Sequence, residues 1–559
     1  MTPSDADTLV SCLSQLPRGD ARGFRFRAMD GTERYYPFEE LEREAKLRAA
    51  LLASLGLRKG DRIALVIGDP AEFVLSFLGA AVAGIVPVPI YPRASFKAKN
   101  AYVETVAHIV QASGAKVLLI MEASKPVIEE VLTHHPGLCA LAILEELAQR
   151  TPPAFDPPRV DAEDLCFLQF TSGSTSLPKG VMVTHRNLVA NARAFLGPRG
   201  IDRRDEDIAV TWLPLYHDMG LIGFVLGTIV CNIPTVLMPT EAFGRRPNVW
   251  LESMSKYRGT ITFAPNFAYG LATKRARDKD LEGLDLSSIR VAGCGAEPIN
   301  PRVMREFAAR FAACGFNANA LMPAYGMAES TLAITFHDRD TALLTDSVDA
   351  ERMTAGEAKP STGAAPSTLE LVSCGHPFPG HELKVVDDSG KSLGERQVGE
   401  IWTRGPSVTR GYYGNPEATT AAYTDGWLHT GDLGYMAGGN LYVCGRLKDL
   451  IIIRGANFYP QDIEWAVAEV EGVRRDNVVA FSVMRDGEES LIVSAEGNST
   501  DAAALRKSIA TKVAETVGLT VGHVAVVKVG SLPKTSSGKV QRRRTKALFE
   551  SGQLEEHPV

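Results

Sequence analysis

No two cysteines of this chain form a CxxC pair; the eight present (Cys12, Cys139, Cys166, Cys231, Cys294, Cys314, Cys374 and Cys444) are scattered singly. That pattern excludes a disulfide-stapled secreted fold and points to a reducing compartment, the cytoplasm, with each thiol a small buried residue. Positive charge is not in excess either. Lys and Arg number 60 against 66 Asp and Glu, a formal net of −6, which argues against a protein whose work is to neutralise nucleic-acid phosphate. No basic segment followed by an apolar core occurs in Met1–Leu16, so no signal peptide is expected. Unbroken apolar runs of membrane-spanning length are also missing. Gly84, Pro87 and Pro89 interrupt Phe73–Ile90, and Asn232 and Pro234 interrupt Met219–Thr240. Each run reads as a buried helix leading into a buried strand.

What is present is an ordinary globular composition, 45% apolar and 23% charged over 559 residues. This rules out disorder as the dominant state and allows about three to five compact units. Short β-branched runs at Arg62–Ile67, Lys116–Ile120, Leu165–Phe170, Thr235–Met238 and Arg290–Ala292 alternate with helical patterns such as Asn248–Tyr257. Such alternation predicts α/β layers with mostly parallel sheets. Asp340–Leu371, rich in small residues and poor in large apolar ones, reads as a long loop or insertion. Beyond about residue 446 the pattern becomes a small α+β unit. Helices are expected at Pro460–Val470 and Asp501–Val517, and strands at Asn477–Val483, Leu491–Ala495 and Val524–Val529.

The densest chemical signal follows the strand at Leu165–Phe170: Thr171, Ser172, Gly173, Ser174, Thr175, Ser176, Leu177, Pro178, Lys179 and Gly180, before a helical pattern starting at His185. Hydroxyls, glycine-freed N–H groups and one lysine at a strand-to-helix turn suit a polyphosphate. The segment is not a Walker A loop, because Pro178 precedes the lysine and Gly180 follows it. A second turn, Gly293 to Pro298, lies between a strand and a helix with Asn300 as N-cap and Pro301 at its first position; it fails the dinucleotide fingerprint at Pro298. A third, Ala324-Tyr325-Gly326-Met327-Ala328-Glu329, offers an aromatic face and a carboxylate. Thr430-Gly431-Asp432, Gly445-Arg446-Leu447-Lys448-Asp449 and Lys534-Thr535-Ser536-Ser537-Gly538-Lys539 follow. Taken singly, each also reads as a turn aspartate, a surface charge pair or a flexible basic tail.

In this order, over residues 35–547, the segments resemble the adenylate-forming superfamily of acyl-CoA synthetases, luciferases and peptide-synthetase adenylation domains. Leu213–Leu221, Pro265–Tyr269 and Gly445–Glu464 are most similar to its fatty acyl-AMP ligases. The resemblance implies an N-terminal adenylation body over residues 1–446, with mostly parallel sheets, a small β subdomain and an insertion near 339–372. A small mobile α+β lid over 447–559 completes it.

The activity the resemblance implies is ATP- and Mg²⁺-dependent activation of a long-chain fatty acid to an acyl-adenylate. The acyl group would then pass to the phosphopantetheine thiol of an acyl carrier protein. Thr171, Ser172, Gly173, Ser174, Thr175 and Lys179 would hold the polyphosphate, with Thr175 also catalytic. Glu329 would hold Mg²⁺. Gly295, Ala296, Glu297, Pro298, Tyr325, Gly326 and Met327 would surround adenine, and Asp432 and Arg446 would bind ribose. Lys539 would bridge the attacking carboxylate and the α-phosphate, and Lys448 would be the hinge. Tyr216, His217, Met219, Gly223, Phe263, Phe267 and Ala268 are the candidate acyl-pocket residues. His217, with one Asp beside it and no further ligand at metal spacing, reads as a pocket wall rather than a metal ligand.

Leu344–Val348 lacks the Gly that precedes the Asp-Ser pair of a carrier module, so the carrier is expected in trans. The basic run Lys534–Lys546 reads as a solvated face, with Arg542–Arg544 expected to steer an acidic carrier. Two other readings stand beside this one: a fatty acyl-CoA ligase, and an inactive nucleotide-binding scaffold.

Overall fold

The computed structural model describes residues 6–92, 99–171, 177–361, 368–453, 456–485, 488–497, 501–535 and 539–558. Among them, the largest sheet runs in the strand order His376–Pro377, Ala333–Phe336, Leu321–Gly326, Val291–Cys294, Ile261–Ala264, Ala209–Thr211, Thr235–Leu237, Gly23–Arg27, Glu33–Pro37. Its six central strands are parallel and its edges antiparallel. A second, all-parallel sheet orders Val86–Pro89, Arg62–Val66, Val117–Ile120 and Ala140–Ile143. Strands buried on both faces require continuous apolar runs, which is why Ile63–Val66 and Val117–Ile120 carry no polar side chain. Four of the five β-branched runs seen in the sequence therefore become strands of these two sheets, and the fifth, Leu165–Phe170, forms a separate two-stranded sheet.

Both interrupted apolar runs are helix-then-strand units. Pro70–Val82 leads into Val86–Pro89, and a helix from Asp218 to Val230, with a π-type stretch at Ile222–Leu226, leads to Thr235–Leu237. Among the described residues no helix is long and apolar enough to cross a membrane.

Two sequence expectations need correction. The serine-rich loop does not sit at a strand-to-helix turn. Leu165–Thr171 pairs antiparallel with a second strand, Lys179–Thr184, and the helix His185–Leu196 starts only after it. Val181 and Val183 are buried while Met182 between them is not, the period-two pattern of a strand. Lys179 is thus fixed in register opposite Thr171. Nor is Asp340–Leu371 merely a loop. Thr345–Asp349 pairs with Thr368–Val372, a short helix Ala350–Thr354 follows the first strand, and Val348, Met353 and Ala358 pack with Tyr435 and Tyr442. A few well-placed apolar residues suffice because a neighbouring sheet supplies the rest of the core.

That neighbour is an antiparallel sheet of Glu382–Val386, Gly399–Arg404, Tyr423–Thr424, Trp427–Ala437 and Asn440–Arg446. The C-terminal region has its own apolar core, built from the strands Val473–Arg485, Glu488–Gly497 and Val521–Val527 and the helices Pro460–Val467 and Ala502–Val517. A last helix, Arg542–Glu550, covers one face of this sheet, Phe549 against Phe481. The architecture is mixed α/β, with a large N-terminal body and a smaller C-terminal region.

One ion pair anchors the strand that carries the Gly293–Pro298 turn. Arg290 forks onto the fully buried Asp207, with Nε 2.7 Å from Oδ1, while Thr260 Oγ1 and the Arg204 N–H also donate to that carboxylate. Burial alone would raise the Asp207 pKa; Arg290 and these donors outweigh it and hold it below the ordinary carboxylate range. Stability from this pair is present above the ordinary carboxylate pKa and is lost as pH falls through the depressed value. Arg290→Ala strands a buried charge and is expected to cost about 3–5 kcal/mol, measured as a lowered urea midpoint of the N-terminal body at pH 7.

Candidate active site

A continuous cleft of about 2110 Å³ lies where the body, the antiparallel sheet and the C-terminal region meet. Its polar chamber is built from turns at strand ends. The hairpin Trp427–Ala437/Asn440–Arg446 sets Asp432 and Arg446 directly opposite each other, and Arg446 Nε lies 3.4 Å from Asp432 Oδ1. The Tyr325 hydroxyl, from the end of a central parallel strand, donates to Asp432 Oδ2 at 2.8 Å. Burial pushes the Asp432 carboxyl up, and Arg446 and Tyr325 oppose it. The turn before Asp432 is held by Glu400, which accepts the Gly431 N–H at 2.9 Å.

Glu329 follows Tyr325 in a tight 3₁₀ turn and faces the same chamber. Its Oε1 accepts the Tyr412 hydroxyl at 2.7 Å. Burial raises the Glu329 pKa, and this hydrogen bond works against the rise. Lys179 lies 5.0 Å above the Tyr412 ring. Among the described residues no group of three or more His, Cys, Asp and Glu side chains gathers as a metal nest. A single cleft-facing carboxylate beside a lysine does suit Mg²⁺, which takes one or two protein carboxylates and completes its shell with water and substrate phosphates.

Across the cleft, Ala296 and Pro298 are exposed to it, and Ala296 adopts a left-handed backbone (φ 67°) that L-residues rarely take. The turn is held from beneath by Glu297, whose Oε1 accepts the Phe267 N–H at 2.7 Å. Lys539, from the C-terminal region, donates its ammonium to the Ala296 carbonyl. Burial lowers the Lys539 pKa, and Glu297 and Asp218 partly restore it. Asp218 is paired with His217 Nδ1 at 2.6 Å and receives the Met219 N–H at 2.7 Å. His217 is therefore a cleft wall held by its neighbour.

From His217 an apolar arm follows the helix Asp218–Val230. Met219, Gly223, Phe224 and Thr228 line it on one side and Phe263, Leu332 and Phe336 on others. At 1.5 Å per residue, Met219 to Thr228 spans about 13 Å.

The structure brings Thr171, Lys179, Gly295, Ala296, Glu297, Pro298, Tyr325, Gly326, Met327, Glu329, Asp432, Arg446, Lys448 and Lys539 to this cleft, with Tyr216, His217, Met219, Gly223, Phe263 and Phe267. Ser172, Gly173, Ser174 and Thr175 lie outside the described residues. Ala268 is a correction: it is fully buried in the body core and does not line the cleft. On the helix Asn266–Arg275, residues 267, 270, 271 and 274 form the cleft face, whereas 268, 269 and 272 turn inward.

The carrier-steering expectation for Arg542–Arg544 is also corrected. Arg542 pairs with Glu464 and Asp449, each at 2.8 Å, and Arg543 donates to Asp449 and to the Lys448 carbonyl, leaving Arg544 as the exposed member of the three. Tyr412 escaped the sequence reading. Its signal is two tyrosines between Gly411 and Gly414 just before Asn415-Pro416, an aromatic pair at a glycine-framed turn.

A family model described as "AMP-binding enzyme" matches residues 18–413. The chain belongs to this family of adenylate-forming enzymes. A second model, the AMP domain of Disco-interacting protein 2-like proteins, matches residues 448–558. A Caulobacter vibrioides protein provisionally named an acyl-CoA synthetase is 36% identical over 98% of this chain and 96% of its own length. The Moorena producens medium-chain-fatty-acid–[acyl-carrier-protein] ligase JamA is 32% identical over 93% of this chain and 90% of its own. A solved structure from work on the fatty acyl-adenylate ligases of E. coli and L. pneumophila superposes with a TM-score of 0.92, at 33% identity and 98% coverage of both chains. Enzymes of this family draw on ATP, and the adenylating step is an AMP transfer.

Proposed function

We propose that the protein activates a fatty acid with ATP to an acyl-adenylate, releasing pyrophosphate. It then passes the acyl group to the phosphopantetheine thiol of an acyl carrier protein supplied in trans. The observation that carries the substrate class is the apolar arm opening from the polar chamber at His217. A carboxylate enters as the ionised head of an apolar chain, so it needs no general base. Its oxygen attacks the α-phosphorus, an O–P bond forms, and the α–β bridging bond breaks to release pyrophosphate.

The obstacle is repulsion among anions, so the residues work by position and charge. Lys539 draws the carboxylate and the α-phosphate together. Lys179 and the loop from Thr171 to Thr175 hold the leaving phosphates. Asp432 accepts from the ribose hydroxyls, with Arg446 beside it, and adenine lies between Tyr325 and the Gly295–Pro298 turn. Glu329 would hold Mg²⁺, which supplies charge neutralisation on the phosphates when bound. For the second step the C-terminal region, 447–559, turns about Lys448 and withdraws Lys539, and the insertion near 339–372 limits that turn. The name of the Moorena relative supports the carrier acceptor; that of the Caulobacter relative supports coenzyme A instead.

One assay separates the readings. The protein is incubated with Mg-ATP and a long-chain acid, alone, with coenzyme A, or with a holo carrier protein, and products are identified by mass. Acyl-AMP that persists beside coenzyme A and is consumed by the carrier is expected. Acyl-CoA would assign the coenzyme A acceptor, and no adenylate from any acid would leave a nucleotide-binding scaffold.

A further inference from the structure

We propose that Ser407–Tyr413 is a strap that sets the spacing between Lys179 and Glu329, with Tyr412 as its positioning residue. The inference rests on the reading of the chamber as a Mg-ATP site and assigns how two distant segments bind the metal and the polyphosphate as one unit. The strap grips both sides. Toward the lysine, it adds to the edge of the strand Lys179–Thr184: the Tyr413 N–H donates to the Gly180 carbonyl at 2.8 Å and the Met182 N–H to the Gly411 carbonyl at 3.0 Å. Tyr412 is thereby held beside Val181, with its ring under the Lys179 ammonium.

Toward the carboxylate, the Thr409 N–H donates to the Glu329 carbonyl at 2.9 Å, and the Tyr412 hydroxyl to Glu329 Oε1 at 2.7 Å. A third tie lies just beyond. Thr331 Oγ1 donates to the Ser407 carbonyl at 2.6 Å. Thr331 itself is held at φ 67°, ψ −63°, in a γ-turn closed by the Leu332 N–H to the Ser330 carbonyl at 2.8 Å. A γ-turn of this hand is strained, more so for a β-branched residue, and persists only where its surroundings over-determine it. The surroundings here are the strap, itself pinned from below by the helix His185–Leu196, whose Asn187 donates to the Val408 carbonyl and whose Asn191 donates to the Ser407 hydroxyl. Gly411 is required at φ 121°, where a Cβ would fall 2.3 Å from Thr419 Cγ2. The strap is therefore rigid where it carries Tyr412, as a spacer between opposite charges must be.

Tyr412→Phe removes the hydroxyl and keeps the ring; Tyr412→Leu removes both. ATP binding is measured by calorimetry in Mg²⁺ and in EDTA on the full chain, with melting curves as the check on folding. In wild type, Mg²⁺ is expected to tighten ATP binding. Tyr412→Phe is expected to reduce that gain about tenfold, the size of one hydrogen bond to a charged group, and to leave binding in EDTA within twofold. Tyr412→Leu is expected to weaken both. A phenylalanine variant that loses equally in both conditions, or in neither, overturns the strap, and does so even if the leucine variant fails to fold. Wild type that binds ATP in neither condition overturns the Mg-ATP reading and the strap with it, a result distinct from the previous two.

Discussion

Replacing Lys539 with alanine is expected to lower acyl-adenylate formation by about 10²–10³-fold, the loss that follows removal of one preorganised contact to charge developing in a transition state. The residue reaches the body from the C-terminal region and meets the one turn, Gly295–Pro298, whose Ala296 carbonyl is presented by a left-handed backbone. Two carboxyl groups, Glu297 and Asp218, keep the ammonium company without neutralising it in a direct ion pair. When substrates arrive, the ammonium has an alternative partner of greater negative charge. Burial depresses its pKa, so the cation is lost at lower pH than for a free lysine. On the proposed mechanism the reaction needs the cation. The rate should therefore fall as pH rises through this depressed value, and Lys539→Arg should move that basic limb up and out of range. Product-resolved mass analysis of acyl-AMP at several pH values checks both points. Full acyl-AMP formation by the alanine variant would remove Lys539 from the reaction.

Local pattern marked several of the parallel strands and singled out the loops of the chamber, and the resemblance of those segments taken in order joined them into one site. The parallel strands were legible because burial on both faces demands unbroken apolar runs, and the loops around Tyr325, Asp432 and Arg446 because glycine, aromatic and charged residues cluster at strand ends. What escaped depends on partners far away in the chain. Tyr412 and Glu329 meet across 83 residues, and Arg542 and Asp449 across 93. A run of arginines reads as a solvated face until the acids that fold against it are known, and here they turn the proposed docking patch into internal ties. The hairpin within 340–371 failed for a related reason: its core is supplied by Tyr435 and Tyr442 of another sheet. Ala268 shows the limit inside a single element, since a cleft-lining helix must turn its other face to the core.

Gly223→Trp is expected to divide acids by length, cutting activation of long chains by roughly 10²-fold while short ones persist. Gly223 stands about 6 Å along the helix from Met219, with about 7 Å of lined arm beyond it to Thr228. A Cβ built there meets a single neighbour, Leu332 Cδ2, at 3.6 Å, an ordinary contact, so the space in front of it belongs to the arm. The π-type turn Ile222–Leu226, within which Gly223 lies, widens the helix at that point, a distortion frequent at functional sites. An indole rooted at 223 would fill the arm from there on. Each buried methylene contributes about 0.8 kcal/mol, so excluding four of them costs about 3 kcal/mol, or roughly 10²-fold in kcat/KM for a long acid. Gly223→Ala, whose methyl the site accommodates, is expected to keep wild-type chain-length preference. Pyrophosphate release measured across acids of increasing length reads the effect directly. Equal loss at every length would point to a damaged chamber, and an unchanged profile would place the chain elsewhere than along this helix.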